Sequence, residues 1–511
     1  MDDYSRLSVF LLFIVPALGG LLFGYEIGVT SAAVSQMESV AMSGTQWYSL
    51  LTDGEYAGLV EGVVTAASTI GAFLGSLVVF KVADDIGRKK ELQIGACCYA
   101  IGAVGQFLSS SKAGADVGLT FLILVRVVYG VGIAFSMHGA PTYIAEMAPP
   151  SLRGLLVSLK EAFIVVGILL GFAVGYLLCS DESSAVVVGG WKWAYGSSVI
   201  FSTLMLFGTF YIPRSARWLL LKQRSEEAAE SLRFVFPESE DTVREIFDDI
   251  KRQCDKQLEM EVASGSNENK SIFASKWRGP LLAGVGLIVL QQVTGQPSVL
   301  SYAVKILKDA GLGEFSSVLL GAFKFVATML AVLYVDSFGR RKLLFIGNSL
   351  MLVALAVLSY IYLAYPSAAN DDDNDNDSSD FGPRQVITLI AMFIYIGGYQ
   401  VGFGPIAWLM ISECFPLEIR GQAVAFAVQM NFLWNLIIQL SIPVVSTALG
   451  NGPLFSIFTA FCVYSIYFVY HYVPETKGLS LEEIEKFFER NRKQKDTDIG
   501  EPTAPLLHNI V

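Results

Sequence analysis

EMAPPSLRG, from Glu146 to Gly154, recurs as ECFPLEIRG, from Glu413 to Gly421; both read Glu, two residues, Pro, three residues, Arg, Gly. A nonapeptide of that definition seldom arises twice by chance, and two further marks travel with it. DDIGRK (Asp84 to Lys89) returns as DSFGRR (Asp336 to Arg341), and PRSAR (Pro213 to Arg217) as the looser PETKG (Pro474 to Gly478). The offsets agree to within a loop: 413 − 146 = 267, 336 − 84 = 252 and 474 − 213 = 261. The chain is therefore a duplicated unit of about half its length, which in a membrane protein points to transport between two related halves.

Composition supplies the membrane. Of 511 residues, 53% are hydrophobic and 16% charged, against about 25% charged in a soluble domain. Apolar stretches of roughly 20 residues, enough to cross about 30 Å of hydrocarbon as helix, lie near 8–33, 57–82, 91–110, 118–140, 154–178 and 194–212. Six more lie near 280–303, 315–335, 343–365, 385–411, 422–447 and 453–473. The fold class expected is an all-α membrane protein of twelve transmembrane helices. Its parts are a six-helix half (1–212), a cytosolic linker (213–276), a second six-helix half (277–474) and a tail (475–511).

The net charge of −11 sits largely in loops such as 370–380, so it indicates neither a cationic partner nor nucleic acid. Lys and Arg cluster at Arg88, Lys89, Lys90 and at Arg340, Arg341, Lys342, in the linker and in the tail. The positive-inside rule places these and both termini in the cytosol. Residues 1–7 ahead of the first span carry no cleavage site, so that span is expected to direct insertion. Cys97, Cys98, Cys179, Cys254, Cys414 and Cys462 include no CxxC and read as packing residues. In the linker, two or three short surface helices are expected, one opening on Ser225 as its N-cap. Asn376 heads a glycosylation sequon on the non-cytosolic side.

Charges buried in the spans carry the functional signal. Glu26 lies near mid-depth in the first span, where a carboxylate costs about 2.5 to 3.5 kcal/mol on insertion scales. Arg126, similarly deep in the fourth, is its natural partner, and Gly130 and Gly132 let helices close on it. Displacing one charge from the other changes how readily the carboxylate holds a proton, the minimum apparatus for proton coupling; a fixed pair that only sets packing is the plainer alternative. Glu161 and Lys324 lie several residues inside the fifth and eighth spans, and His138 in the fourth reads as an interior hydrogen-bonded histidine rather than a relay. In the seventh, QQVTGQPSVLSY (Gln291 to Tyr302) offers three amides beside Gly295 and Pro297, which interrupt the helix. Amides donate and accept at once, which suits paired sugar hydroxyls, although they also serve as glue between helices.

With GGLLFGYEIG, RVVYG, PTYIAEMAP, QQVTGQPSVL, GPIAWLMISECFP and PETKG in order along it, the chain resembles the sugar porters of the major facilitator superfamily over nearly its whole length. Within them it is most similar to the plant-type vacuolar glucose transporter and D-xylose:proton symporter-like branch. The resemblance implies alternating access, with Glu26 where proton-coupled members carry an aspartate and Arg126 at the partner position. It implies sugar contacts at Gln291, Gln292, Trp408, Asn431 and Asn435. It also implies a cytosolic salt-bridge set of Asp84, Arg88, Glu146, Arg153, Asp336, Arg340, Glu413 and Arg420. No cofactor, metal or obligate protein partner is implied.

Departures from the family pattern fall at the site itself. Glu161 stands where many members have glutamine, Lys324 and Pro297 where they have asparagine, Asp85 where they have arginine, and Arg214 where PESPR has its glutamate. Glu161 and Lys324 are candidate sugar ligands, either as an ion pair across the binding cavity giving charge-assisted hydrogen bonds or each with separate water or backbone partners. The expected function is monosaccharide:proton symport, hexose or pentose, in a vacuolar or other endomembrane rather than the plasma membrane. A facilitative uniporter is the rival on the same fold. A transporter-like sugar sensor fits less well, since only 475–511 follow the last span, and no nucleophile, base or metal constellation suggests an enzyme.

Overall fold

A computed structural model describes residues 4–52, 56–109, 115–149, 151–263, 272–365, 382–415, 417–477, 483–484 and 487–488. The acidic run 370–380 with its Asn376 sequon and the tail past 488 lie outside the described residues, as do the side chains of Asp336 and Arg420.

Every regular element among the described residues is helical. The first half contains α1 (Arg6–Met37), α2 (Tyr48–Leu51), α3 (Ala57–Ile86), α4 (Arg88–Leu108), α5 (Ala115–Met147), α6 (Arg153–Cys179), α7 (Gly190–Gly196) and α8 (Ser198–Tyr211). The connection holds α9 (Ala216–Leu221), α10 (Ser225–Val235) and α11 (Glu240–Ala263). The second half contains α12 (Arg278–Val293), α13 (Gln296–Leu300), α14 (Ala303–Asp309), α15 (Phe315–Phe338), α16 (Arg340–Ala364), α17 (Pro383–Val401), α18 (Phe403–Cys414), α19 (Leu417–Leu449) and α20 (Asn451–Tyr472). The chain divides into two compact units, Met1–Glu55 with Val63–Asn267, and Tyr56–Gly62 with Glu268–Val511.

Each of the twelve expected spans coincides with a helix or a broken helix, and ten are long and apolar enough to cross a membrane. The other two fall short for different reasons. α4 opens on the polar run Arg88, Lys89, Lys90, Glu91, which lowers its mean hydropathy. α12 has only 16 residues, about 24 Å of rise, because the chain breaks at Gly295.

That break is local chemistry. Gly295 has φ +87°, a region that strains L side chains, and a Cβ there would meet the Phe458 ring at 2.6 Å. Pro297 follows in the first turn of α13, where its missing N–H costs nothing. The Thr294 carbonyl freed by the break accepts from the Tyr395 hydroxyl at 2.6 Å, as a backbone group away from water requires.

Close packing in the first unit rests on small residues. A Cβ on Gly24 would lie 1.8 Å from the Ile164 carbonyl oxygen, and one on Gly28 2.4 Å from that of Ile168, so α1 and α6 meet backbone to backbone. Gly130 sits against Ser68 and Gly71 of α3, and Gly132 against Gly95 of α4, the close approach read from the sequence.

The helices of the connection belong to the first compact unit. Ser215 caps α9, accepting from the Trp218 N–H at 3.2 Å, and the Trp218 indole donates to the Asp84 carbonyl at 2.9 Å. Ser225 does not cap α10; it is the first helical residue, and the cap position falls to Arg224. The Arg224 carbonyl accepts the Ala228 N–H at 3.1 Å, and its guanidinium holds Glu227 one turn on, so the helix begins a residue early. α11, at 24 residues, is longer than the short helix expected. Of the cysteines, Cys97 is exposed rather than packed, because it faces outward from α4.

Candidate functional site

Glu26 and Arg126 meet inside the first unit. Arg126 Nη1 approaches Glu26 Oε1 to 3.1 Å, off hydrogen-bond alignment, so the contact is mainly Coulombic. Arg126 is held elsewhere: Nη2 donates to Thr30 Oγ1 at 3.0 Å and to the Thr65 carbonyl at 3.2 Å, and the guanidinium lies 4.7 Å from the Tyr195 ring centroid. The Tyr195 hydroxyl reaches Thr30 as well, at 3.3 Å. Glu26 is 3% exposed and Arg126 0%. Burial makes each charge costly unless the other stays near, and the arginine has more anchors than the acid. The carboxylate is thus the member free to exchange its partner for a proton.

Three buried tyrosines wall this pair. Tyr99 donates to the Gly19 carbonyl and Tyr129 to that of Leu22, each at 3.1 Å, while Tyr25 donates to Ala194 at 2.6 Å. Their hydroxyls satisfy main-chain acceptors and their rings exclude solvent.

In the second unit, four residues of the expected sugar set come together. Gln291 Nε2 donates to the Phe403 carbonyl at 3.0 Å, pinning the end of α12 to the start of α18. Asn431 Nδ2 lies 3.4 Å from Gln291 Oε1, and Asn435 Nδ2 donates to Gln292 Oε1 at 2.9 Å. Gln291 and Gln292 are buried; Asn431, Asn435 and Trp408 are half-buried. Gln296, in the break itself, is buried with neither amide atom hydrogen-bonded.

Glu161 and Lys324 each take a side-chain partner within their own unit. Glu161 is 49% exposed and pairs with Lys160 at 2.7 Å. Lys324, buried on α15, donates to Gln400 Oε1 at 3.1 Å and lies 5.2 Å from the Tyr399 ring centroid. Gln400 in turn donates to Thr328. Gln400, Thr328, Thr30 and Tyr195 were not singled out from the sequence. Gln400, a lone amide in the apolar run GGYQVG, offered a signal; the threonines did not.

The repeated motifs build matching clusters. In the first unit, Arg88 meets Asp84 at 3.0 Å, Glu146 at 3.4 Å and Glu91 at 3.5 Å, and Glu146 also accepts from Ser215. In the second, Arg340 meets Glu413 at 3.1 Å, and Glu413 accepts from Thr476. Ser215 and Thr476 are 261 residues apart, the PRSAR to PETKG offset, so the looser echo is structural too. Arg153 is exposed, and no ion pair joins it among the described residues. His138 Nδ1 lies 2.6 Å from Glu91 Oε2, the interior hydrogen-bonded role expected of it.

Residues 12–488 match the model of the sugar (and other) transporter family. The chain belongs to that family. Among curated relatives, it is 40% identical over 500 residues to D-xylose-proton symporter-like 2 of Arabidopsis thaliana, covering 95% of this chain and 92% of the relative. It is 40% identical to the chloroplastic D-xylose-proton symporter-like 3 of the same plant, over 95% of this chain and 83% of that one. It is also similar to the inward-open structure of the xylose transporter XylE from E. coli, with TM-score 0.76 and 26% identity over 94% and 99% of the two chains. The sugar transporter is thus a multi-pass integral membrane protein and not an enzyme.

Proposed function

We propose that this sugar transporter is a monosaccharide:proton symporter working by alternating access. Glu26 carries the proton. Gln291, Gln292, Asn431, Asn435 and Trp408 contact the sugar, with Glu161 and Lys324 as further ligands particular to this chain. The observation that carries the proposal is the solvent-excluded Glu26 carboxylate, held by a hydrogen bond with Ser68 and one charged contact to an arginine that is otherwise well anchored. A fixed structural pair would gain from mutual hydrogen-bond alignment, which is absent here. The D-xylose-proton symporter of E. coli, 27% identical over 96% of this chain, supports a pentose as cargo.

The clusters around Arg88 and Glu146, and around Arg340 and Glu413, serve as the cytosolic gate, together with Arg153, Asp336 and Arg420. Both termini are assigned to the cytosol, and the membrane of residence to the vacuole or another endomembrane. Labelled D-xylose and D-glucose offered to proteoliposomes, with and without an inward proton gradient, test the function. Uptake above the external concentration only with the gradient supports symport; equal equilibration in both supports the uniporter instead.

A further inference from the structure

The boundary between the two compact units falls inside α3. The helix runs unbroken from Ala57 to Ile86, yet Tyr56–Gly62 group with the second unit while Val63 onward groups with the first. Glu61 lies in that first stretch, about 38 Å of helical rise from Ile86, so it stands at the end of the helix opposite the Arg88 cluster. Its seat is closely packed. Gly58 and Gly62, four residues apart in GLVEG, share one face of the helix. A Cβ on Gly58 would stand 3.2 Å from the Pro443 carbonyl oxygen, and one on Gly62 3.2 Å from that of Leu440, so the first turns of α3 lie against α19 across a small-residue face. Pro443, inside α19, leaves the Gln439 carbonyl without its helical donor, and the Tyr302 hydroxyl donates to it at 2.8 Å. Gln439 Nε2 in turn donates to Ser301 Oγ at 3.0 Å. These bonds tie α19 to the residues that lead into α14, which carries Lys305.

Lys305 Nζ donates to Glu61 Oε2 at 2.8 Å. Glu61 is 3% exposed and Lys305 36%, so the carboxylate is the buried member and the ammonium stays within reach of water. Glu61 Oε1 has no hydrogen-bond partner. The acids that follow on the same side are held by other residues: Asp309 accepts from Asn451 Nδ2 at 3.0 Å, and Glu314 pairs with Lys308. A carboxylate sealed from water on one ammonium contact is stable while that contact lasts or once water reaches it, and at no point between.

We propose that Glu61 and Lys305 form a latch that holds this end of the carrier shut and parts once in each transport cycle. The proposal rests on alternating access and not on which residue carries the proton. When this end opens, α3 draws its first turns away from α19, because the helix is continuous and its remaining residues belong to the first unit. Separation of the two ions and entry of water are then a single event. A dry Glu61 that has lost Lys305 is a stranded charge, so half-open arrangements are disfavoured and the gate behaves as open or shut.

The test is hydrogen exchange, read by mass spectrometry, on the full-length carrier in nanodiscs with neither sugar nor proton gradient, so its outcome does not depend on proton coupling. Glu61→Gln and Lys305→Gln are each expected to speed exchange over residues 56–66 about tenfold, as the loss of one charge-assisted hydrogen bond implies. Each should also slow exchange around Glu146 and Glu413, because a carrier that opens at one end closes at the other. The double variant should not exceed the larger single effect, since one pair can be broken only once. Faster exchange over 56–66 with no slowing around Glu146 and Glu413 would make the pair a structural staple and overturn the proposal. Unchanged exchange in both single variants, or additive effects in the double, would overturn it as well.

Discussion

Arg126 and Glu26 form a charged contact of 3.1 Å between two side chains shielded from solvent. Their supports are unequal. Arg126 keeps two hydrogen bonds and an aromatic face if Glu26 is protonated, so neutralising the acid leaves no unpartnered cation, whereas losing the arginine strands a buried carboxylate. Arg126→Met is therefore expected to be more damaging than Glu26→Gln. The check is thermal unfolding of the purified variants: Glu26→Gln within about 2 °C of wild type and Arg126→Met markedly lower, consistent with the several kcal/mol that a stranded charge costs. Equal losses would show that the pair is a structural unit with no preferred leaving member.

The contact between α1 and α6 makes Gly24 intolerant of any side chain. Its added Cβ would stand 1.8 Å from a main-chain oxygen, an overlap that rotamer changes cannot relieve. Gly24→Ala is expected to cost more than the 1–3 kcal/mol usual for overpacking and to reduce folded, monodisperse carrier in size-exclusion chromatography. Gly421→Ala, with nothing within 4 Å, serves as the control and should behave as wild type.

Gln296 carries an amide with neither atom hydrogen-bonded, buried at the start of α13 just past the helix break and four residues on from Gln292. An orphaned buried amide costs roughly 1–3 kcal/mol, and replacing it by an apolar group of similar shape removes that cost. Gln296→Leu is expected to raise the Tm of the sugar-free carrier while raising the KM for sugar at least several-fold. A lower Tm with unchanged KM would assign the amide to the scaffold alone.

Cys254 reports on the docking of the connection. It is buried on α11, and burial pushes its thiol pKa above the usual value, with Arg217 opposing the shift. Thiolate is the reactive form, so labelling by a water-soluble maleimide at neutral pH should be slow in the native protein and become fast on unfolding. Prompt labelling of the folded carrier would mean that α11 does not stay packed.

The spans were legible because length and apolarity are local properties, and the break at Gly295 because glycine followed by Pro297 leaves few backbone options. The charged residues Glu26 and Arg126 were legible for the same reason, since a charge in a hydrocarbon-length run needs a partner. What surrounds them was not. Thr30 and Tyr195 are ordinary in sequence, and their roles arise only because α7 and α1 pack beside α5. Lys324 was visible as misplaced, but its partner Gln400 lies 76 residues away, a distance no periodicity spans. Ser225 has the chemistry of a cap and failed as one because an Arg224 to Glu227 ion pair starts the helix one residue earlier.

Proton coupling through Glu26 is tested most directly by uphill sugar uptake in proteoliposomes under an inward proton gradient, comparing wild type with Glu26→Gln and running counterflow exchange on the same vesicles. The variant should lose accumulation above equilibrium yet retain counterflow, because sugar binding and reorientation do not need the carboxylate once it is neutral. Undiminished uphill uptake by Glu26→Gln would contradict the account.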